Sequence, residues 1–302
     1  MRHGLYFLFI LCVLTGCDSI EPTAENLLVV EGFLDAGKPL PNVSITRVQP
    51  LTAASAGTSI NEAVSDASLS LIINNTPVPY RPSASSPGTY EPATSVFEVV
   101  PPHARFSAEV NWQSQRATTT DIVPPPIAIE DVFIRIPESP VSAVLLDSLR
   151  LEDQEVGARM GFIYPIDVSV SWQNEMPATD TTYWIEARLK PQSDFSSTVL
   201  DVFLLTEDVQ VEDSLRTTGS TRFSWSGVYA IPVPDSLAPA PAHLLTVQLT
   251  RGTKAYADFA ASRNAPERRE PVSNIAGGIG ILAGISLDAI VFEVKDGVAT
   301  AQ

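Results

Sequence analysis

Proline, glycine and Asn/Asp pairs cut the chain into short runs, and within those runs β-branched and apolar residues alternate with polar ones. A two-residue period bounded by turn formers is the pattern of a half-buried strand. The 25 prolines among 302 residues count against helix wherever they fall inside a run, because each interior proline removes a backbone donor and clashes with the preceding turn. Apolar stripes at helical spacing are nearly absent, and residues 254–262 are the one stretch that reads as a short helix. The chain is therefore expected to be mainly β, with antiparallel pairing.

Residues 27–34 read as a strand, 35–41 as a turn and 42–48 as a second, alternating strand. Strand-like runs follow at 66–73, with Asn74-Asn75 as a hairpin turn and a return over 77–80, then at 87–90, 105–112 and 116–120. Such a series of short strands in about 95 residues has the size of an immunoglobulin-like sandwich. Val123-Pro124-Pro125-Pro126 is a stiff spacer and the best boundary. Beyond it, strands are expected around 127–136, 167–172, 182–189, 200–205, 222–230, 243–250 and 286–294. The expected architecture is thus an N-terminal immunoglobulin-like sandwich over 27–122, then a larger β-rich, sandwich-like domain over 127–298 with one short helix. The run Gly32-Phe33-Leu34-Asp35-Ala36-Gly37-Lys38-Pro39-Leu40-Pro41-Asn42-Val43-Ser44-Ile45 resembles the opening of the carboxypeptidase regulatory-like domain, itself a small β-sandwich.

The N-terminus reads as a targeting signal. Arg2 and His3 precede an apolar run over 5–13, which is too short to span a bilayer, since a spanning helix needs about 20 apolar residues. Leu14-Thr15-Gly16-Cys17 follows, an aliphatic residue and two small ones before a cysteine, and it resembles the bacterial lipobox. The small side chains suit an extended protease substrate, and the Cys17 thiol is the nucleophile that takes diacylglycerol. Residues 1–16 are expected to be a lipoprotein signal peptide, and 17–26 a lipidated, flexible, acidic tether. Cys12 leaves with the signal and Cys17 becomes a thioether, so no thiol remains for a disulfide, a metal site or a catalytic nucleophile. The expected partner is a membrane, held through several acyl chains (palmitate among them), where each buried CH₂ adds about 0.8 kcal/mol.

The formal net charge of -16 excludes nucleic acid as a partner, because phosphate binding needs clustered cations. Lysine is scarce, with only Lys38, Lys190, Lys254 and Lys295, a balance that fits either a solvated, aggregation-resistant surface or a protein adapted to high salt. Gly277-Gly278-Ile279-Gly280 lacks the Lys-Ser/Thr pair of a phosphate loop and the downstream acid of a dinucleotide fold, so it reads as a buried strand and turn. Only His103 and His243 remain after processing. Without a G-x-S-x-G elbow or thiols, they support neither a catalytic triad nor a zinc site. The acidic clusters at 130–131, 152–155, 207–208 and 212–213 lack the alternating spacing of a calcium loop. Trp112, Trp172, Trp184 and Trp225 sit in alternating strands and are expected in sandwich cores. No cofactor or metal is expected.

Pro271-Val272-Ser273-Asn274-Ile275-Ala276-Gly277-Gly278-Ile279-Gly280-Ile281, taken with the lipobox, the opening strands and a preceding helix holding Tyr256 and Phe259, resembles an uncharacterised Bacteroidetes-type lipoprotein family, domain of unknown function 4249. Ser273, Asn274, Gly277, Gly278 and Gly280 carry the family's most specific motif, while Leu282 and Ala283 stand where its members tend to have an aromatic. The resemblance implies an outer-membrane lipoprotein, on the periplasmic or cell-surface face, and no catalytic residue set. The function expected from it is non-enzymatic binding of a ligand or partner, as an accessory to a TonB-dependent transporter. The alternatives are an extracytoplasmic hydrolase using carboxylates such as Asp167 and Glu186, and a structural or adhesive surface protein.

Overall fold

A computed structural model describes residues 27–48, 61–146, 158–173, 182–192, 222–263 and 271–302. The expected signal peptide, Cys17 and the expected tether lie outside the described residues, as do the strand expected at 200–205 and the acidic clusters at 152–155, 207–208 and 212–213.

The first half is built from eight strands: β1 (Leu28–Asp35), β2 (Val43–Val48), β3 (Asn61–Ala63), β4 (Ser68–Ile73), β5 (Thr76–Pro82), β6 (Thr89–Pro92), β7 (Arg105–Trp112) and β8 (Gln115–Ile122). Period-two patterning decides their faces. In β4, Leu69, Leu71 and Ile73 point inward while Ser68, Ser70 and Ile72 point out. Asn74 and Asn75 both take positive φ, +47° and +65°, which is the two-residue turn that matches strand twist. β5 is the corner strand, pairing with β4 through its first half and with β6 through its last three residues. Tyr90 fills the interior, its hydroxyl donating to the Val64 carbonyl and accepting from the Ala67 amide.

The second half adds β9 (Ile129–Arg135), β10 (Val141–Leu146), β11 (Ala158–Gln173), β12 (Thr182–Pro191), β13 (Arg222–Val233), β14 (His243–Gly252), helix α1 (Lys254–Ser262), β15 (Ile279–Lys295) and β16 (Val298–Ala301). One large sheet runs in the order β12-β14-β15-β1-β2-β6-β5-β4-β7-β8, with β16 beside β15 and β3 beside β2. A second sheet, β10-β11-β13 with β9 also on β11, packs its Tyr164, Ile166, Val168, Val170 and Trp172 face on β12, β14 and the end of β15. The molecule is mainly β and sandwich-like, and among the described residues it has one helix, at the predicted residues.

Two hydrophobic cores result. One holds Leu28, Val30, Leu34, Ile45, Leu71, Ile73, Tyr90 and Val123; the other begins at Ile127. The cores part at the proline triplet, but the sheet does not. β1 pairs in parallel with residues 279–285, and Ile275 and Leu282 belong to the first core. Residues 27–122 therefore share both their sheet and their core with residues 275–285. The expected strand at 286–294 is really 279–295, because its glycine-rich start is buried on both faces and shows no alternation to read.

Candidate functional site

β15 changes neighbours halfway along. Residues 279–285 pair with β1, and 285–294 pair with β14 on the opposite edge. Among the described residues, 279–284 thus lack a strand on the β14 edge and 286–291 lack one on the β1 edge, where β16 resumes pairing only from Phe292, and buried backbone groups must be paired. Side chains supply the partners. The Asn274 carboxamide donates from Nδ2 to the Leu282 carbonyl at 2.8 Å and accepts the Leu282 amide on Oδ1 at 3.0 Å, one donor and one acceptor, as a strand residue would offer. Two such bonds contribute about 1 kcal/mol each. Ser273 orients the approach by accepting the Ile275 amide on Oγ. Ala276 then exchanges two backbone bonds with Thr118 of β8, at 2.8 and 2.9 Å.

Carboxylates complete the seam. Asp121 accepts the Gly284 amide at 3.1 Å and the Thr253 hydroxyl at 2.7 Å, which ties β8 to β15 and to the start of α1. Asp35, at the end of β1, accepts the Leu287 amide at 3.0 Å. Burial pushes its carboxyl above the usual range, opposed by that amide and by the charge of Lys38. Past the proline spacer, Ser286 accepts the Ile127 amide and Asp288 the Ile129 amide.

The glycines make room for this stitching. A Cβ at Gly278 would stand 2.7 Å from the Leu28 carbonyl oxygen, and one at Gly284 would overlap the Ile122 carbonyl. Gly280 combines two demands, a φ of +106° and a Val30 carbonyl lying where its Cβ would be. Ser273, Asn274, Gly277, Gly278 and Gly280 thus converge on one seam between β1 and β8. A shallow cleft beside the seam is lined by Ile72, Asn74, Asn75, Arg105, Asp121 and Ile122.

The family model that matches this chain covers residues 18–288 and is described as a domain of unknown function. The chain belongs to the DUF4249 family. No curated protein matches it. The matched span of this DUF4249 chain takes in the whole seam, from β1 through the middle of β15.

Other candidate residues of the DUF4249 chain lie apart. Asp167 pairs with Arg135 on the outer face of one sheet, and Glu186 with Arg188 on the outer face of the other, so the structure does not bring these two carboxylates together. Among the described residues, no three His, Cys, Asp or Glu side chains gather as metal ligands. Trp112 and Trp172 are core residues and Trp225 packs against the second core. Trp184 instead lies on an outer face, its ring centroid 4.7 Å from that of Tyr256, which packs over Gly252 and seats α1.

His103 occupies a turn at φ +58°. His243 is not a surface residue: it is 2% exposed, with Nδ1 2.8 Å from the Pro241 carbonyl and Nε2 2.7 Å from the Tyr229 hydroxyl. The carbonyl can only accept, so Nδ1 carries the proton and Nε2 takes the tyrosine's. Burial lowers the His243 pKa and raises that of Tyr229. A histidine kept neutral by the fold binds its proton more readily when unfolded. Its contribution is complete above the unfolded pKa of about 6.5 and is lost as pH falls through and below it. Unfolding free energy is expected to drop between about pH 7.5 and about pH 5, and to drop less in His243→Gln. Equal pH dependence in urea titrations of the two proteins would refute this.

Asp35, Asp121, Thr253, Ser286 and Asp288 escaped the sequence reading. Their partners lie 252 positions away for Asp35 and 163 for the Asp121–Gly284 bond, and no local pattern marks such pairs.

Proposed function

We propose that this DUF4249 protein is a lipid-anchored protein of the bacterial outer membrane that binds a partner without catalysis, as an accessory to a TonB-dependent transporter. The observation that carries the reading is Leu14-Thr15-Gly16-Cys17 directly after the apolar run at 5–13. Only ten residues separate Cys17 from Leu28 of β1, a reach of roughly 35 Å at full extension. The body is thereby kept close to the membrane with its β1 end toward it. Among the described residues no helix is long and apolar enough to cross a bilayer, and the anchor in this reading is lipid.

The partner surface in this reading is at the other end. β15, 17 residues long, reaches roughly 55 Å at about 3.3 Å per residue, so its last residues stand far from the tether. Around that end Leu237 is 91% exposed, Met160 69%, Val144 61% and Val298 60%. In this reading these exposed apolar side chains, near the β13–β14 and β15–β16 connections and on β10 and β11, form the interaction surface.

Fractionation of cells producing the full chain tests the anchor. Cys17→Ser is expected to leave the membrane fraction and to lack the acyl mass at its N-terminus. A Cys17→Ser protein that still sediments with membranes at unchanged mass would defeat the reading. Co-purification from detergent tests the partner, and Leu237→Asp with Met160→Asp should release a bound transporter while leaving the lipid in place.

A further inference from the structure

We propose that the β1–β15 pair is a force-bearing clasp between the membrane tether and the body of the protein. The proposal rests on the lipid-anchor reading. β1 is the first strand after the tether, so any pull between an anchor at Cys17 and the body enters at Leu28 and runs along β1 toward its start. β1 lies between two strands. It is paired antiparallel with β2 from Leu28 to Glu31 and parallel with β15 from Val29 to Asp35. In the parallel pair the load enters at one end of the ladder, while β15 is held at the other by β14 and β16. Tension therefore acts along the ladder, and its evenly spaced bonds share it instead of parting one after another.

Both ends of β1 are locked. The Leu27 carbonyl accepts the Val48 amide at 3.0 Å, the Ala36 amide donates to the Ile285 carbonyl at 3.0 Å, and the Asp35 carboxylate takes the Leu287 amide. Side-chain fit adds a ratchet. Leu282 lies over Gly32, where a Cβ would stand 2.9 Å from its Cδ1, and sliding β1 back by one residue would put Phe33 in that place. Failure under load is set by the unfolding barrier rather than by equilibrium stability, so a clasp of this kind can hold within a protein of ordinary stability.

Single-molecule pulling on the chain from Cys17 to Gln302, made without its signal segment, tests this. Cys17 is then the only native thiol and takes one handle. A second handle at Lys295→Cys, at the far end of β15, loads the ladder along its axis. One at Ser114→Cys, in the turn that leads into β8, loads the strand whose Ala117 lies with Leu28 beside Gly278, and so peels β1 from its first residue. The axial geometry is expected to need several-fold more force, and Asp35→Ala to lower the axial force while leaving the peeling force unchanged. Equal forces in the two geometries, or an Asp35→Ala loss of the same size in both, would overturn the clasp. No lipid is present, so this failure leaves the anchor standing, whereas a native protein without lipid on Cys17 would remove the load the clasp is assigned.

Discussion

Gly280→Ala is expected to destabilise the protein by about 3 kcal/mol or more, and to weaken both halves together. At φ +106° an L-residue is strained, and the added Cβ would overlap the Val30 carbonyl oxygen and stand 3.1 Å from both the carbon and the nitrogen of Val30. The obstacle is backbone, so no side-chain rotation relieves it. Gly37→Ala separates the two costs. Gly37 has φ +75° with nothing within 4 Å of where a Cβ would stand, so only the backbone preference of about 1–2 kcal/mol applies. Urea unfolding of the two variants measures the gap. Similar losses would mean that the close approach of β15 to β1 contributes nothing.

Residues 27–123 alone are expected not to fold cooperatively, and to fold once a peptide of residues 271–287 is added. Without that segment β1 has an open edge over seven residue pairs, and Thr118 loses its two bonds to Ala276. The first core also loses Ile275 and Leu282, worth about 1.5–3 kcal/mol each in burial. A domain of roughly 100 residues has about 5–15 kcal/mol in all, so the deficit removes most of it. Thermal melts by circular dichroism decide the point. A sharp two-state melt from the fragment alone would show that the first half is complete without β15.

Much of the β structure was legible because it depends on neighbours in sequence. The alternation in β4, β7 and β14 names their buried faces, and Asn74-Asn75 names a turn. The stretch 254–262 was legible as a helix, although its first cap is unusual. Thr253 does not cap the helix with its side chain but gives its hydroxyl to Asp121. β10 and the first half of β11 were missed, since neither shows a regular two-residue period between clear turns. The seam was legible only in part. Its motif residues could be singled out as unusual, yet nothing local indicates that Asn274 completes a strand edge or that Asp35 and Asp121 hold β15 from either side.

Local order in the chain was enough to determine the class of fold, the position of the helix, the turn residues and the stiffness of the proline spacer, because propensity and periodicity act over a few residues. Which strands share a sheet lies beyond that range. The parallel pairing of β1 with β15, the single strand that serves both cores and the carboxylates that satisfy its exposed edges were decided by tertiary structure. Contacts between residues 28–35 and 279–287 arise from closing loops of more than 240 positions, and the requirement that buried backbone be paired is met there by whatever side chain the completed fold brings within reach.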